Sequence, residues 1–225
     1  MNRHATAVRV FVLSALLCVP PRAAAATPLD IVRVPGLAAT PNAFSPALPC
    51  TLALLAPGDQ LQADGVRMFG GPLPPPSAAG DFAYAPFGAD DYYFDQVNVL
   101  FHTQRFLERL QRYGLDVHEY PILLTVARAT GSGTHPTEPN TYIGTGTDGR
   151  NADAKDSDII VHEITHAVFN PRMPTEQYPG DKGEAQPLAE GLADYFAAAV
   201  NGDTRMGEYS SPPNGYHDIQ SDAAV

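Results

Sequence analysis

The residues best equipped for chemistry lie in the stretch Asp158-Ile159-Ile160-Val161-His162-Glu163-Ile164-Thr165-His166-Ala167-Val168. His162 and His166 are four residues apart, and in an α-helix residues at that spacing project from one face. Two imidazoles placed in this way can share one zinc ion. Glu163 leaves the helix beside His162, so its carboxylate can reach a water on the metal without ligating it. Ile159, Ile160, Val161, Ile164, Ala167 and Val168 cover the other faces. A helix apolar nearly all round is a buried one. Two histidines and a glutamate inside it are costly without a partner, and zinc is a partner that accounts for all three.

A second element must supply whatever else the metal needs. The run Pro187-Leu188-Ala189-Glu190-Gly191-Leu192-Ala193-Asp194-Tyr195-Phe196-Ala197-Ala198-Ala199-Val200 reads as a helix. Pro187 suits a first turn, where its missing N–H is no loss, and Gly202 suits the end. Glu190, 24 residues after His166, shares a face with Asp194 at i, i+4. Gly191 and Ala193 are small enough to admit a neighbouring helix closely.

H-E-x-x-H followed by a helix carrying E-G-x-x-D resembles the gluzincin metallopeptidases, specifically the thermolysin and fungalysin group. The resemblance spans roughly Asp91 to Asp203 and is concentrated in these two helices. It implies that His162, His166 and Glu190 are zinc ligands, that Glu163 is the general base, and that Asp194 orients a ligand histidine, His162. The chemistry agrees, because a ligand histidine normally donates its other N–H to a carboxylate or carbonyl. A metzincin would need a glycine and a third histidine where Phe169 and Arg172 stand. A deformylase-like site would want a cysteine ligand, and Cys50 is far upstream with no local motif.

The resemblance also assigns supporting roles. An edge strand ahead of the zinc helix would bind the substrate backbone, here Asn140–Gly144 with Asn140 and Tyr142, and adding a strand to a free sheet edge suits many peptide sequences. Tyr178, in the loop between the metal helices, would hydrogen-bond the developing oxyanion, and His217 would stand in for a second oxyanion donor. Asp203 and Glu208, with Asp158, would bind calcium. Relatives of this kind continue into a helical C-terminal lobe, whereas no helical pattern follows Gly202. That lobe is therefore expected to be absent or incomplete and the catalytic core truncated.

The remaining chain must build the scaffold. Residues 1–26 read as a secretory signal peptide: Arg3, His4 and Arg9 precede the apolar run Val10–Val19, which is too short to span a bilayer, and Ala23–Ala26 supply small residues for cleavage. Export to the periplasm or medium is expected, without a stable membrane span. Residues 27–89 form a Pro/Gly-rich segment, the start of the domain or a pro-segment, with strands expected near Asp30–Val34, Thr51–Leu55 and Val66–Phe69. Residues 90–225 form the catalytic core. Its longest helix is expected over Asp91–Tyr113, where apolar residues recur at three- and four-residue steps and Gly114 can cap. His102 on it is a packing or surface residue, since nothing at metal spacing surrounds it. A buried strand follows at Pro121–Ala127 and a short one at Thr141–Gly144. Asp156, Ser157 or Asp158 should cap the zinc helix, where acids also suit the positive helix N-terminus, and Asn170-Pro171 should stop it. The fold class is α+β: a mostly antiparallel N-terminal sheet with a long helix, then two zinc-ligating helices.

The formal charge is −11, and loss of Arg3, Arg9 and Arg22 with the signal, together with no acid, takes it to −14. So acidic a chain argues against nucleic-acid binding. Only Cys50 would survive cleavage of the Cys18-bearing signal, so there is no internal disulfide framework. The expected activity is that of a secreted zinc metalloendopeptidase acting on a polypeptide. Two other classes stay open: a zinc-stabilised exported binding module that does no catalysis, and a structural domain with an accidental motif. Zinc affinity should fall as pH drops through roughly 6, near an unperturbed histidine pKa. Oligomeric state has no signature in the sequence.

Overall fold

The computed structural model describes residues 31–38, 48–55, 61–77, 80–89, 91–115, 117, 121–127, 131–135, 140–146, 152–172, 185–207, 210 and 217–219. The proposed signal segment 1–26, Tyr178 and Glu208 lie outside them. So does the side chain of His217.

Nine strands and three helices make up the described fold, which is α+β. Strands β1 (Ile31–Ala38) and β2 (Leu48–Leu55) form an antiparallel pair, with Ile31 opposite Leu55 and Ala38 opposite Leu48. Next come β3 (Gln62–Ala63) and β4 (Val66–Met68), then helix α1 (Asp91–Arg112). Strands β5 (Ile122–Ala127), β6 (Gly133–Thr134) and β7 (Asn140–Gly144) complete a five-stranded sheet in the order β3-β4-β5-β7-β6. Helices α2 (Ser157–Phe169) and α3 (Ala185–Asn201) pack on one another. Beyond them, β8 (Arg205–Met206) pairs with β9 (His217–Asp218).

The sheet is mixed, which corrects the expectation of a mostly antiparallel one. β4, β5 and β7 run parallel, and only the outer pairs β3–β4 and β6–β7 are antiparallel. The cause is α1. It lies between β4 and β5 in the chain and returns the backbone to the starting end of the sheet, so β5 must run alongside β4 in the same sense. The N-terminal strands alone therefore do not make the sheet.

α1 is the core helix. Val97, Leu100, Phe106, Leu107 and Leu110 are all buried on it, against Leu52 and Leu54 of β2 and Ile122, Leu124 and Val126 of β5 in one continuous core. Its end comes where a left-handed residue is available: Gly114 has φ 80°, its N–H bonds Gln111 O at 2.8 Å, and Leu115 N–H reaches back to Leu110 O at 3.1 Å. The periodicity over Asp91–Tyr113 marks this element almost to the residue.

α1 also carries polar residues into the interior, and these fix what precedes α2. Asn98 Nδ2 donates to Ala154 O at 2.8 Å, and Asp95 pairs with Lys155 Nζ at 2.5 Å. Both partners belong to the 3-10 turn Asp153–Lys155, directly ahead of α2. Asp156 then caps α2, its Oδ1 accepting from Asp158 N–H at 3.1 Å and its Oδ2 from Ser210 N–H at 3.1 Å. Capping of this kind is worth about 0.5–2 kcal/mol. At the other end α2 passes into a 3-10 turn at Asn170–Arg172, as Pro171 requires. No helix among the described residues is long and apolar enough to cross a membrane.

Candidate metal centre

α2 and α3 run antiparallel, and their mutual register decides which side chains meet. One end is fixed by Asn201, whose Nδ2 donates to Asp158 Oδ1 at 2.6 Å. Arg105 and Arg109 of α1 cover the same end of α3, donating to Val200 O at 2.8 and 3.2 Å and so satisfying a terminal carbonyl. Gly202, at φ 75°, closes the helix with its N–H on Ala198 O at 2.7 Å. On the buried face Ala189, Ala193 and Ala197 recur every fourth residue, which brings the α3 backbone close to its neighbours. Gly191 is exposed, with open space where a Cβ would stand, so the close-packing role expected of it belongs to those alanines. Phe196 stacks on Phe169 with ring centroids 5.4 Å apart.

With that register set, His162 faces Asp194 and His166 faces Glu190. His162 Nε2 and His166 Nε2 are 3.2 Å apart, and Glu190 Oε2 lies 3.2 Å from the first and 3.3 Å from the second. Among the described residues, this is the one group of three or more His, Cys, Asp or Glu side chains whose ligand atoms converge so as to hold a metal ion. The triangle is nearly equilateral. Tetrahedral zinc with bonds of about 2.05 Å places its ligand atoms about 3.3 Å apart, so this donor set fits with one coordination position to spare.

The chemistry of the donors fits as well. Asp194 Oδ1 lies 2.8 Å from His162 Nδ1. A neutral imidazole that donates there carries its lone pair on Nε2, directed at the triangle. Two ring nitrogens and a carboxylate oxygen meeting at 3.2–3.3 Å need a cation between them, a proton or a metal. Burial alone would lower the pKa of His162, but hydrogen bonds to the Asp194 and Glu190 carboxylates, with Glu163 close by, raise it to about 9. Hydrogen bonds from His162 and His166 hold the Glu190 carboxyl well below the usual carboxylate range. The pH window expected of an ordinary exposed histidine is therefore displaced upward.

Glu163 stands beside the triangle and outside it. Burial raises its pKa, with His162 and Thr134 opposing. Thr134 Oγ1 lies 2.9 Å from Glu163 Oε2, 2.8 Å from Glu163 O and 3.0 Å from Thr141 Oγ1. With Thr141 donating to it, Thr134 keeps its own proton for Glu163. The sequence reading missed Thr134: Thr130–Asn140 looks like a polar loop, and a two-residue strand has no periodicity to betray it.

The other site residues are placed less simply. Asn140 and Tyr142 lie on β7, which is flanked by β5 on one side and β6 on the other. β7 is thus not the free edge; β6 is, because the chain doubles back through Gly133–Thr134 before entering β7. Tyr142 is half-exposed, and its ring lies across Gly133, where a Cβ would come within 2.8 Å of the hydroxyl. Asp158 is buried against Asn201, and Asp203 accepts from Arg205 N–H at 3.1 Å. Glu208, the remaining expected calcium ligand, lies outside the described residues. His102 is buried beside Phe101, as a packing residue would be.

No protein-family model matches the sequence, and no curated protein matches it. The likeness to gluzincins therefore rests on the motif residues alone, and the geometry adds a His162/His166/Glu190 group that could hold a metal ion.

Proposed function

We propose that this chain is an exported zinc metalloendopeptidase that hydrolyses internal peptide bonds. The observation that carries the reading is the triangle of His162 Nε2, His166 Nε2 and Glu190 Oε2, with sides of 3.2, 3.2 and 3.3 Å, set beside a partly buried glutamate, Glu163, that is not part of it. His162, His166 and Glu190 would hold the ion. Zinc there would supply Lewis acidity and bring the pKa of water towards neutrality.

The chain's own residues do the remaining work. Asp194 holds His162 in the tautomer that presents Nε2 to the site. Glu163 takes a proton from the attacking water and passes it to the leaving amine; a pKa raised by burial suits that exchange near neutral pH. Thr134 holds the Glu163 carboxylate in place. Glu190, with 48% of its side chain exposed, leaves the site open to a large substrate. Oxyanion stabilisation falls to Tyr178 or His217 on this reading. With residues 1–26 as export signal, the enzyme works in the periplasm or outside the cell.

The test has two stages. Zinc per chain is measured on dialysed wild type and Glu190→Ala, with about one ion expected in the first and weakened retention in the second. Peptide hydrolysis by zinc-loaded wild type is then compared with Glu163→Gln, which should keep its zinc and lose turnover by at least about 100-fold. A wild-type chain that retains no zinc sinks the proposal, and a zinc-loaded chain that cleaves nothing reduces it to a binding module.

A further inference from the structure

A cleft of about 310 Å³ opens beside the metal triangle, with His162, Glu163 and Asp194 along one side. Its size is at the lower end of the roughly 300–1,000 Å³ typical of ligand clefts, so it admits a side chain more readily than a whole small molecule. Ile159 and Met206 give it an apolar wall, and Gly131 and Ser132 leave the facing wall without bulk. Ile159 lies one turn before His162 and Glu163 on the same face of α2, so the cleft runs along the helix away from the metal.

At this cleft stands Asp153, 4% exposed. Nothing in the mechanism uses it. Its carboxylate accepts from the hydroxyl of Ser132 at 2.8 Å and is bonded by Ser210, both neutral donors. Lys155, two residues on, is turned instead to Asp95. Among the described residues the cleft lining holds three carboxylates and no lysine or arginine. A buried carboxylate without a cation is costly, and the cleft is the route by which one can arrive. An apolar wall ending at a carboxylate matches a side chain built as an alkyl stem with a charged head. The formal charge of −11 draws cationic peptides towards the protein as a whole.

We propose that this cleft is a specificity subsite for a lysine or arginine side chain of the substrate next to the scissile bond, with Asp153 as the recognising carboxylate. The inference rests on the peptidase reading above. It is tested with two sets of fluorogenic peptides, identical except for lysine or its uncharged isostere norleucine at positions flanking the cleaved bond. Zinc-loaded wild type should favour lysine in kcat/KM by roughly 10- to 100-fold, the range for a hydrogen bond to a charged group. Asp153→Asn should bring the two sets close to parity while leaving the norleucine rate within about threefold. Equal or better cleavage of the norleucine set by wild type overturns the proposal, and that comparison needs no variant to fold. Cleavage of neither set defeats the peptidase reading instead. In that case Nα-acetyl-lysine methylamide and its norleucine analogue are titrated into methionine-methyl-labelled wild type. A shift at Met206 with the lysine compound alone upholds the subsite, and no shift with it rejects it.

Discussion

Asp194→Ala offers the sharpest test of how the centre is built, because its effect should depend on pH in a way a packing defect would not. Asp194 bonds His162 Nδ1 at 2.8 Å. Loss of such a partner from a ligand histidine costs about 10- to 100-fold in metal affinity. The same carboxylate, however, helps raise the proton affinity of metal-free His162, whose pKa stands at about 9. At about pH 7 zinc must displace that proton, across two pKa units worth about 2.7 kcal/mol, or about 100-fold. Removing Asp194 takes away much of this competition along with the ligand support. The two effects therefore oppose: near pH 7 they largely cancel, and above about pH 9, where wild-type His162 has already lost its proton, the full 10- to 100-fold penalty remains. The assay is a zinc competition titration against a chromophoric chelator from about pH 7 to about pH 9.5. A penalty equal at every pH, or none at the alkaline end, would refute the reasoning.

Four further outcomes follow from the same geometry. Ala193→Leu forces a larger side chain into a fully buried α2–α3 contact; it should cost about 1–3 kcal/mol in urea unfolding and weaken zinc retention as the ligand-bearing helices part. Thr134→Val removes the hydroxyl 2.9 Å from Glu163 Oε2; kcat should fall about tenfold with zinc content and KM unchanged, and Thr134→Ser should restore it. Lys155→Met strands the buried Asp95 carboxylate, whose pKa burial already raises to about 6; the single change should cost about 3–5 kcal/mol, and Lys155→Met with Asp95→Leu should recover most of it, both read by denaturant unfolding. For metal-free His162 the sign is that of a raised base: its stabilising contribution is full below about pH 6.5 and is lost as pH rises through about 9. Thermal unfolding of the zinc-free chain should show that loss, and Asp194→Ala should diminish it.

The centre was legible because helices announce themselves locally. Four-residue spacing puts His162 over His166 and Glu190 over Asp194 whatever else the chain does, so two short motifs suffice to propose four side chains at one point. The bounds of α1 were legible for the same reason, with Gly114 as punctuation. What the sequence withheld depends on contacts between distant segments. Whether β5 runs with or against β4 is decided by the return of α1, and strand composition carries no trace of that. Thr134 reaches Glu163, and Thr141 reaches Thr134, only because a two-residue strand folds beside β7. Asp153 and Lys155 sit two residues apart in sequence as an ordinary solvated pair would, yet the fold buries both and sends Lys155 to a different partner. Of the two small residues expected to matter on α3, Ala193 faces inward with Ala189 and Ala197, whereas Gly191 faces out, because the helix turns towards its neighbours on the side that carries Ala193.

The clamp on α3 has a mechanical side. Arg105, Arg109 and Asn201 tie down the last turn of the helix, and Phe196 on Phe169 and Asp194 on His162 hold its middle. Glu190 lies one turn further out, about 6 Å along the axis beyond Asp194 at 1.5 Å per residue. An ion between Glu190 and the two histidines would act as a latch at that outer end. Removing the ion should loosen the helix from Ala185 inward while Ala198–Asn201 stays protected, so that amide exchange would run as a gradient along a single helix.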